Sequence, residues 1–276
     1  MAQVADILSR STLSIWTGLC GIAGAALMLV ADVLLYGPDC HGQSASVYFD
    51  SVDPSTKDPF SLLTSPMASS GHATAAGIIG PVSGLLYVIG GAGVLLRPEH
   101  GASGVAAALG HCLATIGAAC YHTAFVYTAF IAAAYQAICP DDVRTADCGG
   151  GFGNLVASHA AYMGHLKRII VLGGVVSTAG LFALCASHRA SAARRSAGAS
   201  LLPWWVILVA PAPWLLAVRE TGLLRALPAP YGLVVAGGSF NICFFVFFLV
   251  VTVRAVKVYA ENSPPYKRGR KHDKDT

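Results

Sequence analysis

Charge is what this sequence has least of. Of its 276 residues only 12% are Asp, Glu, Lys or Arg, while 55% are hydrophobic, and a soluble domain carries about twice that charged fraction. A chain this poor in charge and this rich in apolar residues is read as a membrane protein. Other absences narrow the chemistry. No HxxxH or HExxH spacing occurs, so no single helix face offers two zinc ligands at a fixed interval. No CxxC knuckle is present. The run Gly149, Gly150, Gly151 and Gly153 follows no strand and precedes no Lys-Ser/Thr pair, which excludes a phosphate cradle and leaves a flexible turn in an acidic loop from Cys139 to Val156. The formal net charge of +4 is no signature of nucleic-acid binding, because the basic residues collect in short loops and the tail.

What is there comes in apolar blocks of roughly 18 to 25 residues, each long enough to cross about 30 Å of hydrocarbon as a helix. The fold class predicted is all-α, a polytopic bundle of six transmembrane helices over about residues 13–36, 72–96, 104–138, 158–187, 201–218 and 231–254. The first run is longer than a signal-peptide core and reads as a retained span. Pro81 predicts a kink in the second span, and the Gly80 to Gly84 spacing suits close helix packing. The third block exceeds one crossing, so it either projects beyond the bilayer or bends along its surface. Pro203, Pro211 and Pro213 break or kink the fifth. Residues 257–276 form a basic tail predicted to be disordered.

Lys and Arg set the orientation. With both termini cytoplasmic, twelve of the eighteen basic residues fall on the inner side, seven of them from Arg254 onward, which agrees with the positive-inside rule. Whether the membrane is the plasma membrane or an endomembrane is not encoded in this pattern. Cys20, Cys112, Cys120, Cys185 and Cys243 lie in apolar spans and read as small core residues. Cys40, Cys139 and Cys148 lie in the outer loops, where an oxidising compartment would join two of them.

The functional signal is a coincidence of depth. The stretch Ser158 to Arg168 opens the fourth span, and in a helix Ser158, Tyr162 and His165 share one side. At about 1.5 Å per residue, Asp32 nears the outer interface at the end of the first span. His72 opens the second there, Tyr121 and His122 lie near that level on the third, and His159, Tyr162 and His165 precede the core of the fourth. His111 falls nearer the inner side and Asn241 near the middle. His111 and His122 are eleven residues apart, which returns to nearly the same helix face with Thr115 between them, at a separation too long for one metal. A carboxylate inside an apolar span needs a partner; the plain reading of Asp32 is an ion pair with Lys167 or Arg168.

The run Gly24-Ala-Ala-Leu-Met-Leu-Val-Ala-Asp-Val-Leu-Leu-Tyr36, with Tyr121-His122 and the stretch Tyr162 to His165, resembles an uncharacterised polytopic membrane family, a domain of unknown function. The resemblance implies a membrane fold and carries no activity. The chain does not match the seven-helix zinc hydrolases of lipids, whose HxxxH pair it lacks. Three functions are expected from the residues. The first is binding or transport of a small solute or lipid through an outer pocket of Asp32, His72, Tyr121, His122, Ser158, His159, Tyr162, His165 and Arg168. There Asp32 is the anionic partner, His122 and His165 are the titrating or coordinating groups, and Arg168 anchors an anionic head group. The second is a metal-dependent lipid-modifying enzyme, with a divalent ion on Asp32, His72, His122 and His165 or His159. The third is a structural or assembly component. The partners expected are the lipid bilayer and that small ligand, with no nucleic acid.

Overall fold

A computed structural model describes residues 2–36, 71–138, 146–192 and 231–263, and these are all helix apart from short links. Five long helices follow one another: α1 (Ala2–Tyr36), α2 (Gly71–Leu95), α3 (Gly101–Ile138), α4 (Ala146–Ala192) and α5 (Tyr231–Asn262), with a single 3-10 turn at Pro98–His100. All five contain stretches long and apolar enough to cross a membrane. Their outward faces carry Leu13, Trp16, Ile78, Leu85, Leu109 and Val171, each more than half exposed, a surface that suits hydrocarbon and not water. The expected span at 201–218 lies outside the described residues.

Several boundaries differ from those expected. α1 begins at Ala2, eleven residues before the expected start of the first span at 13, since neither Gly nor Pro interrupts the chain before Gly18. The Cys139 to Val156 segment is not a loop throughout: α4 already begins at Ala146 and takes the glycine run into its first turns. The tail reading fails at its start, because α5 continues to Asn262, helped by the Lys257 to Glu261 pair one turn apart. The third block is one continuous helix. α3 and α4, with 38 and 47 residues, are on the order of 57 and 70 Å long, so both extend well past a bilayer core of about 30 Å.

The helices pack in the order α5, α1, α2, α3, α4. Glycines let their backbones approach: a Cβ at Gly110 of α3 would lie 2.2 Å from the Ser177 nitrogen of α4, and one at Gly90 of α2 would lie 2.6 Å from the Gly21 Cα of α1. Gly80 and Gly84 face His122 and Ala119 of α3, which is the close packing their spacing predicts. Pro81 sits inside α2 and has no N–H to give to the Gly77 carbonyl one turn back. The Thr123 hydroxyl of α3, which also donates to its own Ala119 carbonyl at 3.0 Å, reaches that carbonyl at 3.4 Å, the kind of shared partner a proline finds in a membrane helix.

At one end of the bundle the α2–α3 link is tied to α1. Arg97 donates to the Ser14 hydroxyl and pairs with Glu99 at 3.7 Å, which also meets Arg10 at 3.6 Å. The turn closes through Gly101, whose φ of 54° is one that other residues rarely adopt. Two apolar clusters fill the interior: Tyr87, Phe244, Phe247, Phe248, Leu181 and Leu184 with Met28 in one, and Tyr121, Phe125, Met163 and Leu166 in the other.

Candidate functional site

Four helices meet at one buried carboxylate. Asp32 of α1 is 4% exposed, and each of its oxygens accepts a hydrogen bond. His122 Nε2 of α3 lies 3.0 Å from Oδ1, and Asn241 Nδ2 of α5 donates to Oδ2 at 2.6 Å. The Asn241 Oδ1 in turn accepts from the Tyr87 hydroxyl of α2 at 3.0 Å. Tyr87 reaches this point because helical side chains lean toward the N-terminus of their helix, which on α2 is the end nearer Asp32. A Cβ at Gly80 would lie 2.6 Å from the His122 Cβ, so the glycine on α2 makes room for the imidazole.

Two hydrogens in this chain run toward Asp32: Tyr87 donates to Asn241, and Asn241 donates to Asp32. The hydrogen between Asp32 and His122 can sit on either partner. The second ring nitrogen of His122, Nδ1, faces the Ala118 carbonyl at 2.8 Å. A carbonyl only accepts, so Nδ1 carries a hydrogen; with an ionised Asp32, Nε2 carries one as well. The pair therefore holds one proton in common, either as imidazolium beside carboxylate or as imidazole beside carboxylic acid. Both side chains are about 95% buried, at 6% and 5% exposure, and at that depth a neutral pair is far cheaper than a lone anion.

Asp32 and His122 were expected at one level, and the structure joins them directly. Asn241 was expected deeper and apart, and that is corrected: it is a direct partner of Asp32. Counting rise from the ends of apolar runs misplaces a residue when the helices extend past the bilayer, as these do. Tyr87 was not anticipated at all. The ion pair expected between Asp32 and Lys167 or Arg168 is replaced by the His122 and Asn241 contacts.

The polar stretch of α4 is also corrected. Ser158, Tyr162 and His165 do share a side, but they are exposed, as is Arg168. The face that packs inward carries Met163 and Leu166, with Gly173, Ser177 and Gly180 set against α3 further along. His159 is half-buried, its ring 6.5 Å from that of Tyr162, and it hydrogen-bonds the Ala124 carbonyl. Tyr121 is buried in the apolar cluster, edge-on to Phe125 at 5.2 Å.

Of the expected metal ligands, Asp32 and His122 meet and His165 is exposed on α4. His72 opens α2, and its side chain lies outside the described residues. Among the described residues no three His, Cys, Asp or Glu side chains come together. Cys20, Cys112, Cys120, Cys185 and Cys243 are free thiols in the spans. Cys40 and Cys139 lie outside the described residues, and Cys148 falls in the first turn of α4, its side chain not described. Comparison of the chain with protein-family models, with curated proteins and with solved structures finds no match.

Proposed function

We propose that this protein binds or moves a small solute through the interior of a six-helix membrane bundle, both termini cytoplasmic, with the Asp32–His122 pair as the group that binds it. The observation that carries this reading is the pair itself, buried in helices whose outward faces are apolar. Ionisable groups inside membrane spans are expensive, and they face bundle interiors where they mark solute and proton pathways. The shared proton gives the site two forms, neutral when held and anionic when released. A solute that donates hydrogen bonds or carries positive charge takes the place of that proton, the exchange that couples a solute to a proton.

The test is ligand-dependent thermal stability and uptake in proteoliposomes, screened over small amines, amino acids, sugars and short-chain lipids. A solute that raises the melting temperature of the wild type but not of Asp32→Asn or His122→Ala supports the reading. If a stabilising or transported solute acts equally on both variants, the Asp32 site does not bind it.

A second reading, a structural component, has its own support: every donor and acceptor named along Tyr87, Asn241, Asp32, His122 and Ala118 is satisfied within the protein. It predicts that the variants lose stability and no ligand response. The metal-dependent lipid-modifying alternative has Asp32 and His122 in contact and needs further ligands from outside the described residues. Near-stoichiometric zinc or iron in tag-free protein, lost in His122→Ala, would favour it over the other two.

A further inference from the structure

His111 lies on α3 about 16 Å along the axis from His122 and differs from it in every contact. Its Nε2 faces the Tyr87 carbonyl at 3.0 Å. Because a carbonyl only accepts, Nε2 bears the hydrogen and Nδ1 presents a lone pair. That Nδ1 is buried with no hydrogen-bond partner among the described residues, and so are the Thr115 and Ser177 hydroxyls; the three residues are 0%, 1% and 0% exposed. Thr115 follows His111 by one turn, and the Ser177 backbone presses against Gly110, the residue before His111.

Other buried hydroxyls among the described residues find partners: Ser83 of α2 donates to the Gly24 carbonyl of α1 at 2.7 Å, and several close onto their own helix. Thr17, Thr178 and Thr252 each donate to the carbonyl four residues back, at 2.9, 2.7 and 2.7 Å. Thr115 and Ser177 do not. Buried polar atoms are rarely left without partners, and three on adjoining surfaces of two helices point to one occupant.

The chemistry of the three atoms describes that occupant. It must donate to a nitrogen lone pair and exchange hydrogen bonds with two hydroxyls. The His111 ring packs against aromatic rings, those of Phe244, Tyr87 and Phe248 with centroids at 4.5, 5.6 and 5.9 Å, so nothing in this set balances a charge. Close approach of α3 to α4 at Gly110 and Gly173, and to α2 at Gly84 and Gly91, limits size to a few heavy atoms.

We propose that His111 Nδ1, Thr115 Oγ1 and Ser177 Oγ form a second binding site, in the interior where α3 meets α4, α2 and α5, for a small neutral molecule that both donates and accepts hydrogen bonds. Water fits with about three hydrogen bonds, the usual number for a buried one; ammonia and methanol share its chemistry. The site is separate from Asp32 and stands whether or not that pair binds a solute.

The experiment is proton-detected solid-state NMR of full-length, ¹⁵N-histidine-labelled protein in lipid bilayers. The His111 signals are assigned by their loss in His111→Phe. The expected result is a non-protonated Nδ1 correlated with an exchangeable proton that disappears in D₂O, reduced at least threefold in Thr115→Val/Ser177→Ala. That double variant removes only hydroxyls and keeps the helices close to their native volume. Methanol or ammonia that moves the Nδ1 signal identifies a solute-accepting site, and an unmoved signal with the water correlation intact identifies a water site. An Nδ1 with no exchangeable proton near it in the wild type, or a correlation undiminished in the double variant, overturns the proposal.

Discussion

Replacing His122 by Leu should cost far more than replacing Asp32 by Asn, and replacing both should cost less than His122→Leu alone. In His122→Leu, Asp32 keeps Asn241 as its hydrogen-bond donor and loses the group that shares its proton. Removing one partner of a buried ion pair costs about 3–5 kcal/mol, because the other charge stays buried. A membrane-embedded or detergent-bound unfolded state offers its own partners, so the lower end applies, about 3 kcal/mol. In Asp32→Asn the new side chain has nearly the same shape. Its oxygen accepts from Asn241, its amide donates to His122 Nε2, and His122 sheds one proton while keeping Nδ1–H on the Ala118 carbonyl. Every hydrogen bond is remade at reduced strength, for about 1 kcal/mol. In the double variant no charge is left to bury, so the cost falls to about 2 kcal/mol. The assay is equilibrium unfolding of purified protein in bicelles by titrated SDS, followed by circular dichroism. Additive losses, with the double variant the least stable of the three, would refute the shared-proton account.

Three further outcomes follow from contacts in the same bundle. Tyr87→Phe removes the donor to Asn241 Oδ1 and should cost about 1–2 kcal/mol, measurable in the same titration. Gly91→Ala drives a methyl to 2.1 Å from the His111 ring and should cost about 1–3 kcal/mol by overpacking. Gly71→Ala, with nothing among the described residues within 4 Å, serves as its control and should stay within about 0.5 kcal/mol. Tyr162→Phe and His165→Ala, on the exposed side of α4, should each change stability by less than about 0.5 kcal/mol. Neither should alter any ligand-induced thermal shift that depends on Asp32.

The membrane class was legible in composition alone, because scarcity of charge and apolar blocks of bilayer length leave little else. That Asp32 needs a partner, and that His122 lies within reach, was legible from depth. The identity of the remaining partners was not. Tyr87 looks like any aromatic in an apolar run; nothing local distinguishes a tyrosine whose hydroxyl meets an asparagine 154 residues later. The polar stretch at Ser158 to Arg168 is dense in functional groups. Yet the residues spaced to pack α4 against α3 were Gly173, Ser177 and Gly180, small ones with little chemistry to advertise. In a membrane bundle the small residues choose the inward face, and polar side chains near a helix mouth are free to point the other way.

The two histidines of α3 make the same point about function. They lie on nearly one face of one helix, eleven residues apart, and the sequence separates them by depth alone. What separates them is what the neighbouring helices present. At His122, α1 brings a carboxylate, and the helix's own Ala118 carbonyl takes the second ring nitrogen, so the imidazole shares a proton with its partner. At His111, α2 brings a carbonyl and α5 brings two phenylalanines, so the imidazole stays neutral and keeps a lone pair to offer. On the proposed reading, a solute path that ran past both histidines would have two unlike stations, one that exchanges charge and one that exchanges only hydrogen bonds. A solute that passes both must give up or share a proton at the first to be accepted at the second. Only a molecule with a neutral form of very small size meets both conditions, and larger solutes that bind at Asp32 should stabilise the protein without being transported past His111.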